Sequence, residues 1–177
     1  MRLILDHSIH YMKQMLLVLL SGVTLTSFSQ TYYIVRHAEK AQPSAGAVMA
    51  TPDDPPLSNA GQQRAETLKD LLKSKAVGYI FTTNTLRTRS TAKPLSTAIK
   101  VKPVIYDAAD QAFINKLKKI KKNALIVGHS NTIDDIANGL SSAIKVNGDI
   151  PDSQYDNLYI VKRKGKKVEF EARKYGN

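Results

Sequence analysis

Apolar positions change period along this chain in a regular alternation. A short β-branched and aromatic run over residues 31–35 stops abruptly at Arg36 and His37. Continuous apolar runs of that length are the pattern of strands buried on both faces of a parallel sheet. From Leu57 the period turns helical. Ala65, Leu68, Leu71 and Leu72 fall on one face, and Ser58 stands at the N-cap position. Residues 77–81 predict a second strand. Residues 83–99 read as a loop entering a helix, with Pro94 expected to kink or break it. A third strand is predicted over 101–106. It is followed by an amphipathic helix over 110–121, with Phe113, Ile114, Leu117 and Ile120 inward and lysines outward. Residues 124–128 are the most apolar strand, and residues 131–140 form the next helix. Residues 155–161 and 167–173 predict a terminal pair around the turn Lys164-Gly165-Lys166. In the last strand Val168, Phe170 and Ala172 alternate with Glu169, Glu171 and Arg173, so one face is expected to be buried. Strands alternating with helices imply a layered α/β sheet, largely parallel, with the final pair at an edge where lysines discourage strand-to-strand association. Residues 41–56 carry four prolines and form a loop long enough to cover a site.

One segment stands outside this alternation. Lys13 precedes an apolar run over residues 15–25, and small residues follow at Ser27 and Ser29. A positive region, a short apolar stretch and a small-x-small end make a secretory signal, and the run is too short to span a bilayer comfortably. The expectation is a signal peptide over residues 1–29, with residues 1–11 an extension upstream of a start at Met12, and one domain over residues 30–177 exported to a periplasm.

Composition narrows the chemistry. The 177 residues contain no cysteine, which excludes disulfides, thiolate catalysis and zinc–thiolate sites. The formal charge is +11; removing Arg2, Lys13 and Asp6 with the leader leaves +10. Such a surplus favours anionic ligands and allows peripheral attraction to an anionic envelope surface. Nucleic acid is not an expected partner. The lysine runs over 116–122 and 162–167 lack the interleaved aromatic residues of single-strand binders and suit a solvated helix face and a charged turn.

Three strand ends carry reactive or cationic side chains. Ligands of open α/β sheets sit beyond the carboxyl ends of the strands. The first strand ends in Arg36, His37 and Glu39; the second leads to Arg87 in the first turn of a helix; the fourth leads to His129. An arginine in a first helical turn opposes the helix dipole, so Arg87 suggests a bound anion. If these groups converge, neutral His37 can attack phosphorus and form a phosphohistidine. Arg36, Arg87 and a protonated His129 would hold the equatorial oxygens. A carboxylic acid would protonate the leaving oxygen, and water would then release phosphate. Cationic side chains supply the electrostatics, so neither a metal nor another cofactor is expected.

These residues lie in four motifs that resemble the histidine phosphatase superfamily, the phosphoglycerate-mutase-like fold. Arg36-His37-Ala38-Glu39 is similar to its Arg-His-Gly-Glu signature, with alanine in place of the common glycine. Leu57-Ser58 with Gly61 and Ala65, Leu86-Arg87 with Thr91-Ala92, and Val127-Gly128-His129-Ser130 follow in family order. The resemblance implies a three-layer αβα sandwich. It implies His37 as nucleophile, with Arg36, Arg87 and His129 as the phosphate-binding residues. In many members the proton donor follows the third strand, which points to Asp107 or Asp110. Asp107 is the preferred candidate. Both aspartates could instead be solvated or cap the next helix, and Glu39 suits an orienting role better than an acid's.

The expected activity is hydrolysis of phosphate monoesters or phosphohistidine. Its substrate would be a phosphorylated small molecule, or a phosphorylated envelope component or protein. A mutase-type phosphotransferase is the nearest alternative, but the mutases carry extra segments around the third strand, and here the connection after Tyr106 is short. Acid phosphatases and phytases fit poorly, because Lys40-Ala41-Gln42 does not continue their motif. A non-catalytic phosphate or polyanion binder is a further class. A serine hydrolase built on Gly128-His129-Ser130 is disfavoured, because that fold needs a histidine after the serine and the only histidines are 7, 10, 37 and 129. Secreted through its own leader, the protein is expected to begin at Gln30, a mass readable by intact-protein mass spectrometry. A product retaining residues 12–29 would contradict the cleavage.

Overall fold

A computed structural model describes residues 29–43, 51 and 53–176; the predicted leader, apart from Ser29, lies outside the described residues. The chain runs β1 (Ser29–Arg36), α1 (Asn59–Leu72), β2 (Val77–Thr82), α2 (Leu86–Ile99), β3 (Val104–Ile105), α3 (Gln111–Lys119), β4 (Asn123–Gly128), α4 (Ile133–Ser141), β5 (Asn157–Lys164) and β6 (Lys167–Lys174). The six strands form one sheet in the order β3-β2-β4-β1-β5-β6. β3, β2, β4 and β1 pair in parallel, while β5 joins β1 and β6 joins β5 antiparallel.

The period of two along each strand builds two cores from one sheet. Tyr32 and Ile34 of β1, Phe81 of β2 and Ile126 of β4 face one way, against Phe113 and Leu117 of α3 and Ile133, Ile136 and Leu140 of α4. Tyr33, Val35, Ile80, Leu125 and Val127 face the other way, against Leu68 and Leu72 of α1 and Ala92 and Leu95 of α2. The result is the expected three-layer αβα sandwich. β1 and β4 lie side by side, yet the helices that follow them, α1 and α4, cross to opposite faces. Ligands of open α/β sheets sit at such a divergence, beyond the carboxyl ends of the two strands.

Local sequence accounts for most element ends. Ser58 caps α1, its hydroxyl accepting from Gly61 N at 3.1 Å. Thr85 caps α2, and Asp110 caps α3 by accepting from Phe113 N at 2.8 Å. Gly165 takes a positive φ of 58° in the two-residue turn between β5 and β6. Three expectations need correction. Pro94 does not break its helix, which runs on to Ile99. Burial of Ala92 and Leu95 in the core outweighs the missing N–H. The third strand is two residues long instead of six. Val101 N is bound to Ser96 O and Val101 O to the Ser96 hydroxyl, while Pro103 has no N–H to give. In β6, Val168 and Phe170 pack on the core but Ala172 is exposed, as only β5 lies beside this edge strand.

The motif Leu57-Ser58-Asn59-Ala60-Gly61 through Ala65 is a docking device. Leu57 and Ala65 bury themselves against Ala38. Ser58 N donates to Glu39 O at 2.9 Å, and Lys40 and Leu57 form an antiparallel bridge. Gly61 closes the contact, because a Cβ there would lie 2.2 Å from Glu39 O. Gly61→Ala is therefore expected to destabilise the fold by ~1–3 kcal/mol through overpacking, read as a lower urea midpoint. A midpoint equal to the wild type would contradict this close approach.

Candidate active site

Register places the two histidines. Arg36 of β1 pairs with Gly128 of β4, and His37 N donates to Gly128 O at 2.9 Å, extending the ladder by one rung. The next residue of each strand is a histidine, and the His37 and His129 rings meet edge to face with centroids 5.4 Å apart. Gly128 leaves room for this arrangement, since a Cβ would sit 2.8 Å from both the Thr132 and Tyr106 hydroxyls.

The tautomer of His37 follows from its partner. Its Nδ1 lies 2.8 Å from Ala38 O. A carbonyl can only accept, so Nδ1 carries the proton and the Nε2 lone pair is left for an electrophile. Ala38 N in turn donates to the Thr91 hydroxyl at 2.9 Å, which fixes the segment from α2. His37 is 4% exposed. Burial is the main force lowering its pKa, opposed by the Ala38 carbonyl and reinforced by the charges of Arg36, His129 and Arg87, to about 3. His129 is pushed down to about 4, first by burial and then by Arg87 and Arg36, with Asp54 working the other way. Both rings are neutral near pH 7. The protonated His129 expected from sequence is thus not its state in the unliganded protein; a phosphate dianion between the rings would raise both values. His129 Nε2 is bonded to the Thr83 hydroxyl at 2.9 Å, which is bonded in turn to the Thr88 hydroxyl at 3.0 Å.

Arg36 is buried and held by the segment before β5. Its Nη1 donates to Pro151 O and Gln154 O, its Nη2 to Asp152 at 2.7 Å, and its guanidinium lies 4.2 Å from the Tyr155 ring centroid. Its Nε is buried with no hydrogen-bond partner among the described residues. Tyr155 also stands 5.9 Å from the His37 ring. Arg87 is in the first turn of α2, and the anion beside it comes from the chain itself. The Asp54 carboxylate accepts from Arg87 Nη1 at 3.2 Å and from Leu86 N at 2.8 and 2.9 Å.

The carboxylates named from sequence separate by duty. Glu39 is gripped by Arg64 through three bonds of 2.7–3.0 Å. Burial works against its charge, but the bonds and charge of Arg64 outweigh it and hold the carboxyl below its ordinary range. Asp110 is the cap of α3. Asp107 is exposed just beyond β3 and makes no hydrogen bond or ion pair among the described residues. Thr83, Asp54 and Tyr155 are site residues that sequence reasoning passed over. Thr83 was findable from the strand-end rule. Tyr155 precedes an antiparallel strand, so the same edge is reached from the opposite chain direction, where that rule gives no signal. A surface groove of about 610 Å3 between α1 and α2, lined among others by Pro56, Gln63, Ser90 and Lys93, holds none of these residues.

Residues 32–110 match the family model of the histidine phosphatase superfamily, branch 1, a span that includes Arg36, His37, Arg87 and Asp107 and ends before His129. No curated protein matches the chain. Among solved structures, SixA of Agrobacterium tumefaciens, described as a phosphohistidine phosphatase, is similar at 19% identity. The alignment covers 81% of this chain and 97% of that one with a TM-score of 0.57. A mycobacterial glucosyl-3-phosphoglycerate phosphatase is similar at 10% identity, over 84% of this chain and 99% of that one, with a TM-score of 0.56. The phosphoglycerate mutase of Plasmodium falciparum is similar at 17% identity, over 84% and 91% of the two chains, with a TM-score of 0.51. The superfamily resemblance read from the motifs and the αβα fold it implied are borne out, and a phosphatase- or mutase-type function is supported.

Burying a neutral histidine links stability to pH. His37 has a folded-state pKa of about 3 against an ordinary 6.5. The unfolded chain therefore binds the extra proton between those values. Its contribution is intact above pH 6.5 and falls by ~1.4 kcal/mol per pH unit as pH drops toward 3. His37→Asn is expected to reduce the pH dependence of the urea midpoint across that window, leaving the share that His129 contributes between 6.5 and about 4. An identical slope in the variant would show that His37 is not buried neutral.

Proposed function

We propose that this protein is a metal-independent phosphatase that hydrolyses phosphate monoesters or phosphohistidine through a covalent phosphohistidine on His37. The observation that carries the reading is the His37 ring itself. It is buried, neutral, and oriented by Ala38 O so that Nε2 is the free nitrogen. Around it stand Arg36, Arg87 and His129, and the two arginines keep their charge at any working pH.

The chemistry runs in two displacements. Nε2 of His37 forms a bond to phosphorus as the ester P–O bond breaks, and the leaving oxygen takes a proton. Asp107 is the proposed donor, being the one of the three candidate carboxylates without another partner among the described residues. Water then attacks phosphorus, the P–N bond breaks, and the water proton passes to the same carboxylate. Arg36 and Arg87 neutralise the equatorial oxygens in both steps, as fixed charges in a low-dielectric pocket do most effectively. His129, neutral at rest, gains a proton as the dianion binds and then donates a hydrogen bond to it.

A mutase would share the phosphohistidine but must hold a second phosphorylated group over it. Here residues 106–110 alone join β3 to α3, which leaves no insert at that position to cover a second ligand. That shortness supports the hydrolase over the transferase. Two of the neighbours named above are described as phosphatases and one as a mutase. The proposed setting is the exported one, with a phosphorylated small molecule, or a phosphorylated envelope component or protein, as substrate.

His37→Ala is expected to lower kcat/KM for p-nitrophenyl phosphate by at least ~10^3-fold with an unchanged far-UV circular dichroism spectrum. The wild-type rate should survive a chelator and be inhibited competitively by vanadate. Retained turnover in the variant would remove His37 as nucleophile.

A further inference from the structure

Arg87 poses a problem that the fold has to solve. It is a long side chain with ~2 kcal/mol of rotamer entropy, partly open to solvent, in the first turn of a helix whose dipole repels it. A phosphate pocket needs that guanidinium in one place. Among the described residues, the group that accepts a bond from it is the Asp54 carboxylate at 3.2 Å.

Asp54 is itself anchored twice over. Both of its oxygens accept from Leu86 N, at 2.9 and 2.8 Å, so the carboxylate is fixed to the first turn of α2. The backbone around it is stiff as well: Pro55 and Pro56 follow, Ala41 N donates to Pro56 O at 2.8 Å, and Lys40 bridges Leu57. Two residues earlier in that returning strand is Ala38, whose carbonyl orients His37. Asp54 thus ties the strand that carries the nucleophile to the helix that carries the arginine. It engages one Nη1 hydrogen, leaving the other four guanidinium N–H groups for an anion. As a half-exposed ion pair it adds little to stability, which leaves orientation as its main consequence.

We propose that Asp54 is a positioning residue of the phosphate pocket: it fixes the Arg87 guanidinium and the first turn of α2, and acts on the phosphoryl group only through Arg87. The proposal rests on the phosphatase reading of the same site, but positioning governs binding of inorganic phosphate as well as turnover, so the two can be separated.

The test is a double-mutant cycle of the wild type, Asp54→Asn, Arg87→Ala and the double variant. Each protein is assayed with p-nitrophenyl phosphate and titrated with inorganic phosphate by calorimetry. Asp54→Asn keeps the volume and one acceptor for Leu86 N while removing the charge that holds Arg87. It is expected to lower kcat/KM and phosphate affinity about tenfold in the wild-type background and less than about twofold in the Arg87→Ala background, the signature of two groups acting as one. Equal losses in both backgrounds, or no loss in either, would overturn the proposal. Phosphate binding that follows the cycle in a wild-type protein without turnover would support the positioning role and defeat the phosphatase reading.

Discussion

The parallel pairing of β1 with β4 is the constraint on which the rest of the molecule depends. Arg36 opposite Gly128 fixes which residues emerge from the sheet together, and the bond from His37 N to Gly128 O commits the next rung. The period of a strand is two, so a slip of one residue would turn every side chain of β1 to the wrong face. Tyr32 and Ile34 would exchange cores with Tyr33 and Val35, and His37 would leave His129. The apolar content that folds the sheet is thus also what aligns the site. The same register requires glycine at 128, where the Tyr106 and Thr132 hydroxyls fill the space a side chain would need.

Electrostatics gives this geometry its direction. Two arginines and two histidines gather at one sheet edge, and burial keeps both rings neutral. A neutral His37 is a nucleophile without any deprotonation step, whereas a protonated one would be inert. The positive charge rests on guanidinium groups, which cannot lose it. Each is met by a loop carboxylate, Asp152 on Arg36 and Asp54 on Arg87, and neither carboxylate touches the histidines in the described contacts. The buried Nε of Arg36 has no hydrogen-bond partner among the described residues, and such a group costs free energy until an acceptor reaches it. An incoming dianion would satisfy that donor and raise the pKa of His129.

Much of this was legible in the sequence because it is periodic. Alternation and helical spacing located each helix and strand of the described residues, and the strand-end rule named Arg36, His37 and His129. What was not legible depends on competition between partners. The third strand lost its first half to Ser96 and Pro103, which no period reveals. Pro94 is a breaker by propensity, but its helix is held by buried neighbours. The sequence left both Asp107 and Asp110 as possible caps of the next helix, and it is Asp110 that found the backbone N–H, at Phe113. Asp54 lies in a proline-rich segment with no periodic signature, so the residue beside Arg87 could not be named, although the need for an anion there could.

The family-like motifs divide between chemistry and support, and the supporting half explains why so few residues suffice for the site. Glu39 follows the nucleophile segment and is held by Arg64 of α1; Arg64 also donates to Tyr175 O at 2.6 Å. Tyr175 N returns a bond to Asp156 O at 2.9 Å, one residue from the Tyr155 that stacks on Arg36. The path closes on itself: nucleophile segment, α1, chain end, Tyr155 segment, Arg36. On the other side Thr91 of α2 holds Ala38 N, and Thr83 holds His129. Every group proposed to meet phosphate, Asp107 excepted, is thus fixed by a residue that does not. A pocket built in this way needs little reorganisation when its ligand arrives, the condition under which fixed charges stabilise a transition state most.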